Sequence, residues 1–205
     1  IYILVYESYP NEETLNHYGI DNSYQIDFLK QNGFKIYDGI YSVTASSLPS
    51  ISRILELNGI LSNHDRHYVS GNALVPEIFK KNGYKTIGLF PSPYFFGGKS
   101  KISWDKYHPK DDISKIGGKT LVKSIFQGEF KFDIFDNDYE YTNYLKLKNK
   151  YLTSKEKNIF FFTHNIYPGH STNIGKCSPN ENHRFQKRLK KANLEMKKDI
   201  LDIKE

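Results

Sequence analysis

Three short runs of almost uninterrupted apolar and aromatic residues constrain this chain most: Ile1–Tyr6 (IYILVY), Tyr84–Phe90 (YKTIGLF) and Asn158–Thr163 (NIFFFT). Each has the length of a strand and is too uniform to leave one face in water. Each is therefore predicted to be a strand covered on both sides. Segments of helical spacing lie between them. Ser23–Asn32 carries Tyr24, Ile26, Phe28 and Leu29 and stops at Gly33, and Asn72–Asn82 stops at Gly83, a residue suited to closing a helix. The order helix, Asn-Gly, strand thus occurs twice, as LKQNGF at 29–34 and FKKNGY at 79–84, which reads as one turn chemistry used twice and not as a tandem repeat. This alternation predicts an α/β fold with a mainly parallel sheet in which the three apolar runs are neighbours or near neighbours. A length of 205 residues, 38% of them hydrophobic, suffices for a single domain or most of one.

Open parallel sheets keep their ligands outside the carboxyl ends of the strands, and chemistry-bearing residues follow three predicted strands here. The first run ends in Glu7-Ser8, where the carboxylate is either structural or a ligand. A further run rich in Tyr and Ile, Phe34–Val43, is predicted to be a strand leading into Thr44 and then into the apolar helical pattern Ile51, Ile54, Leu55, Leu57. At such a junction a Thr can cap the helix, and the free backbone N–H groups of the helix start attract phosphate or sulfate. The alternative is a plain N-cap with Ser47 at the third helical position. The run Asn158–Thr163 leads into His164-Asn165-Ile166-Tyr167-Pro168-Gly169-His170-Ser171. Two histidines on one loop, its path set by Pro and Gly, point to a site.

The remaining stretches are less specific. Asn63–His67 holds possible metal ligands, but no helical or sheet spacing converges them, so it reads as a polar connection, with a phosphate-side role as the alternative. Pro91–Gly98 is an aromatic loop, packed on the surface or facing a substrate. A helix is expected over Lys119–Gln127. The acidic residues Asp133, Asp136, Asp138 and Glu140 lack the glycine and closing Glu of a calcium loop. Asn180–Glu205 is a basic amphipathic helix whose Lys/Arg run forms a solvated outer face or, alternatively, a membrane-binding one. With 29 Lys+Arg against 23 Asp+Glu, the net charge of +6 suits an anionic substrate and does not require nucleic acid, which is not expected as a partner. Cys177 is alone and forms no internal disulfide. No apolar run reaches the roughly 18 residues of a membrane span. The abrupt opening on a buried strand and the close inside a charged helix read as two cut ends.

Taken in order, Glu-Ser after the first strand, Thr44-Ala45-Ser46-Ser47-Leu48-Pro49 at the second junction and a His-bearing loop after Phe-Phe-Phe-Thr resemble the sulfatase-like branch of the alkaline phosphatase superfamily. The likeness is greatest to phosphoethanolamine transferases and lipoteichoic acid synthases. It implies an alkaline-phosphatase-like three-layer sandwich with a mainly parallel central sheet, residues 1–205 being a partial catalytic domain incomplete at the C-terminus. It further implies a divalent metal, zinc or manganese, with Glu7 and Thr44 as ligands and Thr44 as the nucleophile that carries a phospho intermediate. His170 would contact the phosphate or the leaving group, and His164 and Ser47 would bind substrate. An anionic phospholipid or a glycan is the implied substrate. The protein would sit in the cell envelope, its catalytic domain outside the cytoplasm and its membrane contact made through segments absent from this chain. Two departures stand out. The chain has no Asp-His pair, which in the family supplies most remaining ligands. Ser47-x-Pro49 is followed by Ile51 where a sulfatase needs Arg, with Arg53 displaced, which disfavours sulfate ester hydrolysis by a formylglycine route.

Overall fold

A computed structural model describes residues 1–61, 63–97, 99, 101–110, 138–170 and 180–204. The chain divides into two compact units, one formed by Ile1–Val5 with Val43–Asn165, the other by Tyr6–Ser42 with Ile166–Glu205. The expected helix at Lys119–Gln127, the acidic residues Asp133 and Asp136, and Ser171 and Cys177 lie outside the described residues.

The first unit is built on a four-stranded, all-parallel sheet. Its strands are β1 (Tyr2–Tyr6), β2 (Lys85–Leu89), β3 (Lys106–His108) and β4 (Ile159–Asn165), in the order β1-β4-β2-β3. The three apolar runs are thus adjacent strands of one parallel sheet, as their uniform hydrophobicity predicts. In β4 all seven residues are buried, and Phe160, Phe161 and Phe162 are completely so. Register is fixed by pairing Lys85 with Ile159 through Leu89 with Thr163. Helices α3 (Ser47–Glu56), α4 (Asp65–Val69) and α5 (Leu74–Lys81) bring Leu48, Ile51, Leu55 and Val69 into one core with Phe90, Phe95, Phe96, Trp104, Phe160 and Phe162. Position 88, in β2, takes a glycine because a Cβ there would lie 2.6 Å from the Trp104 indole. The aromatic loop forms a 3₁₀ turn, Pro93–Phe96, that buries Phe95 and Phe96 and leaves Tyr94 exposed, so it is chiefly a packing element. Helix α6 (Asp138–Leu152), which the sequence did not announce, contributes the completely buried Tyr144.

The second unit contains α1 (Glu12–His17), α2 (Ser23–Gln31) and the long α7 (Glu181–Lys204). Leu15 and Ile20 pack with Leu189 of α7, with Tyr9 and Phe185 at the margin. Polar bonds complete the packing. Tyr6 donates to Asp199 (2.7 Å), Tyr9 donates to Asn193 (2.6 Å), and Asn193 donates to Asn22 and Tyr24 (2.7 and 2.6 Å).

Two expectations are corrected here. Phe34–Val43 is not a strand; it is irregular, with Gly39 left-handed at φ 71° and Tyr37, Ile40 and Tyr41 each more than 60% exposed. β-Forming residues need a neighbouring strand and a face to pack on, and among the described residues no strand is paired with this segment. The strand β4 also runs two residues further than its apolar part, so His164 and Asn165 belong to the ladder and not to the loop that follows.

Candidate functional site

The geometry of the second unit converges on two adjacent residues after β1 and two after β4. Glu7 Oε1 lies 2.7 Å from His170 Nε2, and Ser8 Oγ lies 2.9 Å from His170 Nδ1. The Gly169 N–H donates to the Glu7 carbonyl at 2.9 Å, which locks the two dipeptides together across more than 160 positions of sequence. The Glu7 side chain is 13% exposed and that of His170 67%. The pair therefore has one shielded member and one that reaches solvent.

The His170 loop is braced by α7. Arg188 Nε donates to the Pro168 carbonyl (3.0 Å) while its Nη2 pairs with Glu181 at 2.9 Å. Lys191 Nζ donates to the Tyr167 hydroxyl (2.6 Å) and lies 3.9 Å from that ring's centroid, a cation–π distance. Gly169 is needed at its position. Its φ is +70°, and a Cβ would stand 2.6 Å from the Ile166 carbonyl oxygen. Two of the cations assigned from sequence to a solvated face thus hold a loop. Their periodicity gave the apolar face of the helix but not the reach of its flanks.

Thr44 belongs to the first unit. It does not cap α3; Ser46 stands at the N-cap, Ser47 is the first helical residue, and the Ser46 side chain makes no capping bond. The Thr44 hydroxyl accepts from the Ser46 N–H at 3.4 Å, and the Thr44 carbonyl accepts from the Ser50 hydroxyl at 3.0 Å, so the hydroxyl is held against the start of the helix. The backbone N–H groups of that first turn lack intrahelical partners and give the turn its positive end. Thr44 and Ser47 are both half-buried.

His164 is 3% exposed and its ring packs 4.8 Å from Phe95. Around it, Tyr144, Thr163, Asn165 and Lys148 form a buried polar network. Tyr144 Oη is 2.7 Å from Thr163 Oγ1, Lys148 Nζ donates to Asn165 Oδ1 at 2.7 Å, and Asn165 Nδ2 donates to the Val5 carbonyl at 3.1 Å. The Asn63–His67 stretch is partly helical in α4 and carries structural bonds. Asp65 pairs with the buried Arg53 at 2.8 Å, and Arg53 also donates to the Ile60 carbonyl and Ser52.

Glu7, His170 and Ser8 offer a carboxylate, an imidazole and a hydroxyl within mutual reach, donor types that suit zinc or manganese. The carboxylate and imidazole that a divalent cation would draw to itself here face each other at 2.7 Å. The donors fit such an ion in kind. In number they fall short, because among the described residues no group of three or more His, Cys, Asp and Glu side chains is placed to hold a metal. No family model, curated protein or solved structure matches the chain, so the case for any function rests on these residues.

Proposed function

We propose that this chain is a metal-dependent phospho-group transferase or hydrolase of the sulfatase-like, alkaline-phosphatase-type sandwich, Thr44 having the role of nucleophile and Glu7 that of metal ligand. The observation that carries the reading is the Glu7–His170 pair at 2.7 Å, formed by segments that leave the carboxyl ends of two parallel strands. The bound metal would supply a lowered pKa for the attacking hydroxyl and charge neutralisation on the transferring phosphoryl group. Thr44 Oγ forms the new bond to phosphorus as the bond to the donor alcohol breaks. That alcohol leaves with a proton, and an acceptor hydroxyl or water then displaces Thr44. His170, exposed and held by its neighbours, contacts the phosphate or the leaving group. The first turn of α3, with Ser47, binds the anion. The donor is an anionic phospholipid head group, or a surface glycan carrying one, and the setting is the cell envelope.

Sulfate ester hydrolysis is the weaker reading. Arg53, the basic residue nearest the sulfatase position, is buried and engaged by Asp65 and Ser52, so it is not available to a sulfate.

The test is intact-mass and peptide mass spectrometry of the full chain supplied with zinc or manganese and phosphatidylglycerol vesicles, together with turnover of a synthetic phosphate ester. A glycerophosphate adduct on Thr44 is expected, and Thr44→Ala should lower turnover by about 10³-fold or more. An adduct on Ser46 or Ser47, or undiminished turnover in Thr44→Ala, would overturn the assignment.

A further inference from the structure

The 24 residues of α7 are buried along one side only, through Leu189, Ala192, Asn193, Asp199 and Ile200. At about 100° per residue, Lys187, Leu194 and Leu201 run in line along the opposite side, with Lys190 on one flank and Arg184, Lys191 and Lys198 on the other. All seven are exposed. They fall within an arc of about 120°, and the acids of the helix lie at its edge or beyond it. There Asp202 takes Lys198 at 2.6 Å, and Glu181 takes Arg188 at 2.9 Å. Lys191 is turned to the Tyr167 hydroxyl, whereas the side chains of Arg184, Lys187 and Lys190 make no bond among the described residues. Leu194 is 69% exposed and Leu201 49%. One leucine in water needs no explanation. Two of them a heptad apart, in line with a lysine and edged by cations on both flanks, make a stripe.

We propose that this outer face of α7 docks on an anionic phospholipid bilayer. The helix lies parallel to the membrane plane, Leu194 and Leu201 enter the head-group boundary, and the flanking cations bind lipid phosphates while their hydrocarbon stems cover the apolar strip. The mixture of charge and apolar surface selects this partner. A second copy of the chain would bring like charge against like. A polynucleotide would take the cations and leave both leucines in water, whereas a bilayer satisfies both. The inference goes beyond the function proposed above and uses no residue of that site, so either can fail alone.

The experiment floats the full chain with vesicles of phosphatidylcholine containing about 30% phosphatidylglycerol, at low and at physiological salt. Binding is expected to these vesicles, weaker at the higher salt, and not to phosphatidylcholine alone. Arg184→Gln, Lys187→Gln and Lys190→Gln together should weaken partitioning about 100-fold, at roughly fivefold per cation. Lys101→Gln, Lys110→Gln and Lys157→Gln remove the same charge from exposed positions of the first unit and should change it by no more than about twofold. Leu194→Ser with Leu201→Ser should weaken it about tenfold or more with every cation in place. All these positions are exposed, so each variant should keep the wild-type Tm. Equal loss in the two lysine and arginine sets would trace the attraction to net charge and overturn the proposal. Full binding by the leucine variant would overturn it too, as would binding to single-stranded polyuridylate with none to vesicles, or a dimer in sedimentation that the leucine variant abolishes. A chain that binds vesicles through α7 yet shows no Thr44-dependent turnover of the soluble phosphate ester refutes the proposed function and leaves the docking face standing.

Discussion

Removing one oxygen atom from Tyr144 tests whether the end of β4 is held by a single polar network. The ring is completely buried, and Oη lies 2.7 Å from Thr163 Oγ1, 3.0 Å from the His164 carbonyl and 2.9 Å from Asn165 Oδ1. A phenol has one proton, so it accepts from the Thr163 hydroxyl and shares its own proton between the two remaining oxygens. Asn165 Oδ1 also receives Lys148 Nζ at 2.7 Å. Tyr144→Phe therefore deprives Thr163 and the His164 carbonyl of this partner while Asn165 keeps its lysine. A buried polar group that loses its bond costs about 1–3 kcal/mol, which puts Tyr144→Phe at roughly 2–4 kcal/mol. Thr163→Val alone removes one of three contacts from a hydroxyl that retains two acceptors, at about 1 kcal/mol. In the double variant the stranded Thr163 hydroxyl no longer exists, so its total should fall short of the sum by about 1 kcal/mol or more. Urea unfolding of the four proteins at neutral pH measures the cycle, with equal m-values showing that the unfolded ensembles are alike. Additivity within about 0.5 kcal/mol would refute the network, since that is the behaviour of independent sites.

Two further outcomes follow from the same coordinates. Gly88→Ala places a methyl group 2.6 Å from the ring atoms of the sole tryptophan, Trp104, and should destabilise by about 1–3 kcal/mol with a shift in Trp fluorescence; unaltered fluorescence and stability would show that the indole does not lie over β2. Burial pushes the Tyr9 hydroxyl up from 10.0 to about 12, against the bond that Asn22 donates to it. The folded state thus holds this proton more tightly than the unfolded one. Its contribution is complete below pH 10 and is lost as pH rises toward 12, at a slope of up to about 1.4 kcal/mol per pH unit. Urea midpoints of wild type and Tyr9→Phe between pH 9 and 12 should therefore converge, and parallel profiles would contradict the burial.

What could be read from the chain was what burial on two faces dictates. Phe160, Phe161 and Phe162 leave no wet side, and that alone placed β4 inside a parallel sheet. Phe34–Val43 is also rich in β-forming residues but has no partner strand among the described residues, and composition cannot report a missing neighbour. The strand β3 is three residues, Lys-Tyr-His, too short to carry a period, and it pairs with β2 from Ile87 to Leu89 all the same. The residues Glu7 and His170 were legible as strand-end chemistry, whereas Ser8 was not. Its partner is 162 positions away, and its left-handed backbone has no signature in a serine.

The net charge of +6 was the broadest clue to an anionic partner, and the structure weakens it as an argument. Charge attracts a substrate only where it is left facing solvent, and several of these cations are turned inward. Arg53 is spent on Asp65 and the Ile60 carbonyl, Lys148 on Asn165, and Arg188 on Glu181 and Pro168, and all three are buried or half-buried. They remain in the formal sum while their work is to hold loops and strand ends. An excess counted from composition therefore overstates the field that a phosphate head group would meet. The stronger support for an anionic substrate is local: a helix start in α3 with its N-cap side chain unused, and a hydroxyl two residues before that serine.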